Sequence, residues 1–385
     1  MRLPPVLVVE DRADRPVGHW PILVADVAEG FAAGGCPVAI LTARGWYFAD
    51  TRTLPFPVHE YGPVARVLDR FADRLQGGTR PDGRRRWLRR AGEVLRVVVI
   101  VRAAAARART IGDDTVVVVV SNVDAPELVA AVAGRGRWLS YVCFTPRRPG
   151  PWGRLVGRVA GRAERTRRAR GGRCVVGAPS AVLQAEWARA WPALEVARLP
   201  HPSAGDARSV EGARAQLGID PSARVALLFG MHHSEKDPET VFAAFAELDD
   251  WHLIVAGTVA DDPPPRARVL RRYPGYVDDH TRTLLLGAAD LVVISYRAGF
   301  RRGSWNLRDA VAWGVPVVCS DRSLPAEIVR AHGLGEVFEA GNAASLVQAV
   351  RAAPTALDPA DLARARAEIG SGVELALRAL GVRSS

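Results

Sequence analysis

Lysine is nearly missing from this chain. Of 52 basic residues only one, Lys236, is lysine. Arginine evidently serves wherever a surface cation will do. The two residue types are not interchangeable where a compact ammonium is wanted. Lys236 lies at a strand–helix junction, Leu227-Leu228-Phe229-Gly230 followed by Met231-His232-His233-Ser234-Glu235-Lys236-Asp237. On position alone two readings stay open, chance survival or a loop-borne phosphate contact. Cysteine is also scarce. Cys36, Cys143, Cys174 and Cys319 are far apart and form no CxxC, so they read as buried thiols in a reducing compartment. No apolar run approaches the ~18 residues of a membrane span. The longest, such as Val116 to Val120, are short and β-branched and suit buried strands. The first residues, Met1 to Glu10, lack a signal-peptide core and read as a first strand. A cytoplasmic location is therefore expected. No GxGxxG follows that strand, which argues against a nicotinamide cofactor, and Gly34-Gly35 sits where a helix ends. No RNP, KH, helix-turn-helix or zinc-finger pattern occurs, so nucleic acid is not an expected partner.

The 385 residues suit two ordinary domains, and 48% hydrophobic with 24% charged residues is globular composition. The net charge of +11 suits anionic partners. It is concentrated in Arg80 to Arg90 and in Arg154 to Arg173. In the second segment Leu155, Val156, Val159, Ala160 and Ala163 can share one helical face. Both segments could be plain solvated helix faces. Both could also lie on a membrane surface, with Trp87 and Leu88 dipping in and arginines meeting lipid phosphates.

Strand and helix patterns alternate almost throughout, which predicts parallel sheets covered on both faces. Strands are expected at Val6–Val9, Val38–Leu41, Val116–Val120, Leu139–Cys143, Arg173–Val176 and Leu194–Leu199. Segment 43–114 reads as strand- and helix-containing insertions on the cleft or membrane side of the first domain. The rhythm restarts after Pro200-His201-Pro202-Ser203-Ala204-Gly205, with strands at Val225–Phe229, His252–Ala256, Leu291–Ser295 and Val315–Cys319. The expected organisation is a first domain over 1–200 and a second over 201–369, with a C-terminal helix over 370–385 packing back on the first. Ligands of such sheets bind at the carboxyl ends of the strands.

Three stretches of the second half carry chemistry. The loop Gly230 to Lys236 sets His232 and His233 beside an ammonium, a grip for a diphosphate. The turn Tyr273-Pro274-Gly275-Tyr276-Val277 offers backbone groups that suit a nucleobase edge. The loop Tyr296 to Gly303, with Arg301 and Arg302, runs into a helix beginning near Ser304, whose free amides favour an anion. Asp309 lies one to two turns into that helix and could accept from a ribose hydroxyl, or be an ordinary exposed carboxylate.

In order and spacing these stretches resemble the nucleotide-binding domain of GT-B glycosyltransferases, nearest the glycosyltransferase family 4, or group 1, type. The likeness extends through Asp309-Ala310-Val311-Ala312-Trp313-Gly314-Val315-Pro316-Val317-Val318 and on to Ser320-Asp321, Leu324-Pro325 and Glu327-Ile328-Val329. It covers about residues 195–352, and the first domain only by architecture. It implies an α/β chain of two Rossmann-like doubly wound domains facing a central cleft. A nucleoside-diphosphate sugar, of UDP or GDP, would be held by the second domain and a glycan or lipid-linked acceptor by the first. Position by position, Lys236 would meet the diphosphate, Val277 the base through its backbone, Gly303 and Ser304 the phosphates, and Asp309 the ribose. Gly230, His232, His233, Arg301 and Arg302 are not carried over from the family but, read from their own chemistry, would add to the same phosphate grip. The first-domain loop Pro16-Val17-Gly18-His19-Trp20 corresponds to the family's glycine-rich loop, so Gly18 would approach phosphate or acceptor.

The sequence departs from the pattern in three places. Met231, His232 and His233 stand where an arginine is usual. Arg301 stands where the first of two glutamates is usual, and Asp309 replaces the second. Ser121-Asn122-Val123-Asp124 stands at the strand end where the family has histidines. With no DxD triplet and no metal cluster, fixed cations would replace a metal, and no cofactor beyond the sugar nucleotide is expected. The resemblance implies a retaining transferase, and the Arg-rich helices suggest a lipid-linked or membrane-proximal acceptor, hence polysaccharide or glycolipid assembly, peripheral on the inner face of the membrane. An inverting course would need a base such as His19 or Asp124. The alternative is an inactive GT-B protein that binds a sugar nucleotide or serves as an assembly partner.

Overall fold

The structure is a computed structural model. It describes all residues except 1–2, 11–19, 44–53, 77–82, 121–124, 143–145, 147–148, 201–209, 231–234, 258–267, 276, 301–303, 371 and 383–385. The chain divides into two compact units, unit 1 comprising Met1–Ala204 with Ile369–Ser385 and unit 2 comprising Gly205–Glu368.

Unit 1 is built on β1 (Val6–Glu10), β2 (Val38–Thr42), β3 (Val58–Glu60), β4 (Val116–Val119), β5 (Arg137–Tyr141), β6 (Arg173–Ala178) and β7 (Glu195–Arg198). They pair in parallel in the order β3-β2-β1-β4-β5-β6-β7. Strands β1 and β4 are buried along their whole length, which is why they consist almost entirely of Val and Leu. Segment 43–114 does contain a strand and helices, but they belong to the framework of the sheet and are not insertions. It supplies the edge strand β3, then helices Pro63–Gln76 and Gly83–Ile111, the second of which leads back across the sheet into β4. Near the C-terminus the chain forms helices Pro359–Gly370 and Gly372–Ala379. The second packs in unit 1, where the Arg173 guanidinium donates to the Ala379 carbonyl at 3.1 Å.

Unit 2 is built on β8 (Arg224–Phe229), β9 (Trp251–Gly257), β10 (Val269–Pro274), β11 (Leu291–Ile294), β12 (Val317–Ser320) and β13 (Gly335–Phe338). All are parallel, in the order β10-β9-β8-β11-β12-β13. Leu228, Phe242, Phe245, Trp251, Leu253 and Phe338 belong to one buried cluster on this sheet. The chain moves outward from β8 to one edge, then returns to β11 and moves to the other. The carboxyl ends of β8 and β11 therefore flank the reversal of strand order, the usual ligand position of such sheets.

Candidate functional site

The loops leaving β8 and β11 are tied together at that reversal. Lys236 and Tyr296 form an antiparallel bridge. Next to it the Asp237 N–H donates to the Ser295 carbonyl at 3.3 Å and the Arg297 N–H to the Glu235 carbonyl at 2.8 Å. Two glycines make the crossing possible. Gly230 has φ +115, and a Cβ there would lie 2.7 Å from Lys236 Nζ. Gly257, at the end of β9, has φ +111, and its Cβ would come within 2.2 Å of the Gly230 carbonyl oxygen.

Lys236 is half-buried. Its ammonium donates to the Phe229 carbonyl at 2.8 Å and stands 5.9 Å from the centre of the Tyr296 ring. Among the described residues it has no carboxylate within ion-pair distance, and desolvation lowers its pKa from 10.5 to about 8. The site thus holds a cation whose charge nothing in the described protein balances.

Tyr296 is locked. Its N–H donates to Ser320 Oγ at 3.0 Å, its ring stacks on Phe300 with centroids 3.5 Å apart, and its hydroxyl donates to Ser304 Oγ at 3.3 Å. Ser304 precedes the helix Trp305–Trp313 but gives it no side-chain cap. The helices starting after Asp237, Asp278, Ser323 and Asn342 each have a backbone N–H bonded to the cap side chain. The first amides of Trp305–Trp313 therefore keep their positive end for another acceptor. The Asn306 amide donates to the same Phe229 carbonyl as Lys236, which joins this helix to the β8 loop.

Asp309 faces the neighbouring helix Asp279–Ala288. Its Oδ1 accepts from the Arg282 guanidinium at 2.7 Å, and Arg282 also donates to Asp279 at 2.6 Å. Burial alone would favour neutral Arg282, but the Asp309 and Asp279 carboxylates outweigh it and hold its pKa well above the ordinary value. Asp309 is therefore a fixed carboxylate on a buried bridge, not the freely exposed one that its helical position allows. Val277 follows Gly275, at φ +88, and is half-buried. Asp278 beside it caps the next helix by accepting from the Thr281 N–H at 2.7 Å.

Lys236, Gly230 and Ser304 are thus gathered around the β8 and β11 ends, with Asp309 on the helix that Ser304 opens. Gly18, His19, Asp124, His232, His233, Arg301, Arg302 and Gly303 lie outside the described residues. Sequence reasoning misses Tyr296, Asn306 and Arg282. Their positions in the chain carry no motif, and their parts come from contacts between elements.

Two Rossmann-like parallel-sheet units of this topology define the GT-B fold. Within unit 2, residues 223–354 match the family Glycosyl transferases group 1. Solved structures agree on the fold over nearly the whole chain. Sucrose-phosphate synthase from Thermosynechococcus elongatus is similar with a TM-score of 0.59 at 17% identity, over 98% of this chain and 95% of that one. HepE from Anabaena, solved with UDP-glucose, gives 0.54 at 16% identity over 97% and 95%. WaaG, a glycosyltransferase involved in lipopolysaccharide biosynthesis, gives 0.51 at 14% identity over 98% and 96%. A comparison with curated protein sequences finds no match.

Proposed function

We propose that the protein transfers a glycosyl group from a nucleoside-diphosphate sugar, bound by unit 2, to a glycan or lipid-linked acceptor received by unit 1. The observation that carries this reading is Lys236, a desolvated ammonium at the strand-order reversal with no carboxylate partner among the described residues. Breaking the anomeric C–O bond leaves negative charge on the departing diphosphate. Lys236 and the uncapped amides after Ser304 stabilise that charge without rearranging, because both are already in place. His232, His233, Arg301, Arg302 and Gly303 complete the same phosphate environment in this reading. The Val277 backbone meets the base, and Asp309, positioned by Arg282, accepts from the ribose. Fixed cations take the place of a metal, and a retaining course needs no protein base.

The family match of residues 223–354 supports the chemistry. HepE, solved with UDP-glucose, supports UDP as the first donor base to try, and GDP is the other. WaaG's part in lipopolysaccharide biosynthesis supports a membrane-proximal acceptor, as do the Arg-rich helices of unit 1, which suit peripheral contact with an anionic membrane. Three buried free cysteines support a reducing, cytoplasmic setting. Among the described residues no helix is long and apolar enough to cross a membrane.

Calorimetry with UDP and GDP tests the donor site. Wild-type protein binds one of them, and Lys236→Ala weakens that affinity at least tenfold, since a charge-assisted hydrogen bond contributes about 1.5–3 kcal/mol. Equal affinity in the variant refutes the assignment. Arg301 in place of the family's first acid favours a second reading, a sugar-nucleotide-binding protein without turnover. Release of free sugar or of a transfer product from the donor excludes it.

A further inference from the structure

Two helices of unit 1 turn apolar side chains toward solvent. Helix Pro63–Gln76 exposes Val64 (74%), Val67 (64%), Leu68 and Phe71. Their spacing of three and four puts them on one stripe. A surface helix ordinarily buries such a stripe, but this one buries Ala72 and Asp69 instead. Asp69 lies 3.9 Å from Arg96 of helix Gly83–Ile111, both side chains being out of solvent. A buried ion pair adds little net stability, yet breaking it is costly, so it fixes which way a helix faces. Here it faces the apolar stripe outward.

Along the third side of the helix run Arg66, Arg70 and Arg74, every fourth residue and next to the stripe. Arg66 is paired with Glu60 at 3.1 Å. Arg70 and Arg74 are exposed, with no ion-pair partner among the described residues. Helix Pro151–Arg168 repeats the arrangement. Val156 and Ala160 face inward, while Trp152 (53%), Leu155 and Val159 face out. The single apolar face expected from the sequence is therefore split into a buried arc and an exposed one. Arg154, Arg158 and Arg162, again every fourth residue, are exposed beside it. Both helices belong to one layer: Pro63–Gln76 packs on Gly83–Ile111, which packs on Pro126–Val132, which packs on Pro151–Arg168.

We propose that this layer of unit 1 docks on an anionic lipid bilayer. The stripe of Pro63–Gln76 enters the boundary between headgroups and acyl chains, and the arginine rows meet lipid phosphates. Charge selects this occupant. An apolar stripe alone would suit a second copy of the chain equally well. A copy would bring the same arginine row against its own, whereas an anionic bilayer neutralises both rows. The inference deepens the membrane-proximal reading of the acceptor but needs no nucleotide, so it can fail while the donor site stands.

The test is flotation of the full chain with vesicles of phosphatidylcholine containing phosphatidylglycerol, against phosphatidylcholine alone. The expected result is recovery with the anionic vesicles at low salt, loss as salt shortens the Debye length, and no recovery with neutral ones. Val67→Ser with Phe71→Ser lowers vesicle affinity at least tenfold, and Arg70→Gln with Arg74→Gln roughly thirty-fold. These positions are exposed, so circular dichroism of both variants matches wild type. The proposal is overturned by no binding to anionic vesicles, by equal binding to neutral ones, or by a stripe variant that binds as well as wild type. A concentration-dependent dimer that V67S/F71S abolishes also overturns it.

Discussion

Lys236 carries two opposed electrostatic effects, and they can be separated by pH. Burial lowers its folded pKa from 10.5 to about 8. Between those values the unfolded chain binds the proton and the folded chain has lost it. Stability therefore rises with pH across that window, because the cost of keeping the ammonium desolvated disappears. Diphosphate binding needs the ammonium, so affinity falls over the same range. Urea unfolding and nucleotide titration, each run from about pH 7 to 10, should show slopes of opposite sign from this residue, and Lys236→Met should flatten both. Matching slopes would mean that the ammonium plays no part in the anion site. The same residue shows how far composition can be read. A lone lysine at a strand–helix junction is visible in the sequence. Its lack of a carboxylate partner among the described residues and its bond to the Phe229 carbonyl are not, because they depend on which loops the sheet brings together. Arg282 makes the same point from the other side. It is one arginine among many until the structure sets it between Asp279 and Asp309.

At the scale of elements, the sequence is most readable where strands are buried. Val116–Val119, Val6–Val9 and Leu291–Ile294 are continuous apolar runs because helices cover both faces of a parallel sheet. The strands without such a signal, β3, β10 and β13, all lie at sheet edges. β10 reads Val-Leu-Arg-Arg-Tyr-Pro and is mostly exposed, so its sequence is free to look like a loop. Helix Pro63–Gln76 is hidden for a different reason. Its periodicity is clear, but its orientation is reversed by Asp69 and Arg96, which no periodicity reports. The glycines ending β8 and β9 give a prediction at this scale. Gly257→Ala meets both a positive φ and the Gly230 backbone, and should lower stability by about 2–4 kcal/mol. Gly275→Ala has a positive φ but nothing within 4 Å, and should cost only about 1 kcal/mol. Urea midpoints of the two variants check the difference. Equal losses would show that the close approach at Gly257 is relieved without cost.

At the scale of the whole molecule, the two units have separate sheets and separate cores, while the proposed donor chemistry sits in one of them. A ligand that binds only the folded form stabilises it by mass action, by about 2.7 kcal/mol at a hundredfold excess over Kd. Scanning calorimetry with UDP or GDP should therefore raise the transition that belongs to unit 2. If the units melt independently, the transition of unit 1 should stay where it is. Movement of unit 1 alone would put the nucleotide in the wrong half of the chain.

The scarcity of lysine has a practical side. Amine-directed reagents ordinarily scatter over a protein surface. Here 52 basic residues include a single side-chain amine, and desolvation leaves it neutral, hence nucleophilic, from about pH 8 upward. Apart from an α-amine, acylating chemistry of the plainest kind thus meets one amine and becomes a site-directed footprint. A reporter attached at Lys236 would stand at the junction of β8 and β11, and occupancy of that junction could be followed by protection of one amine without changing a single codon.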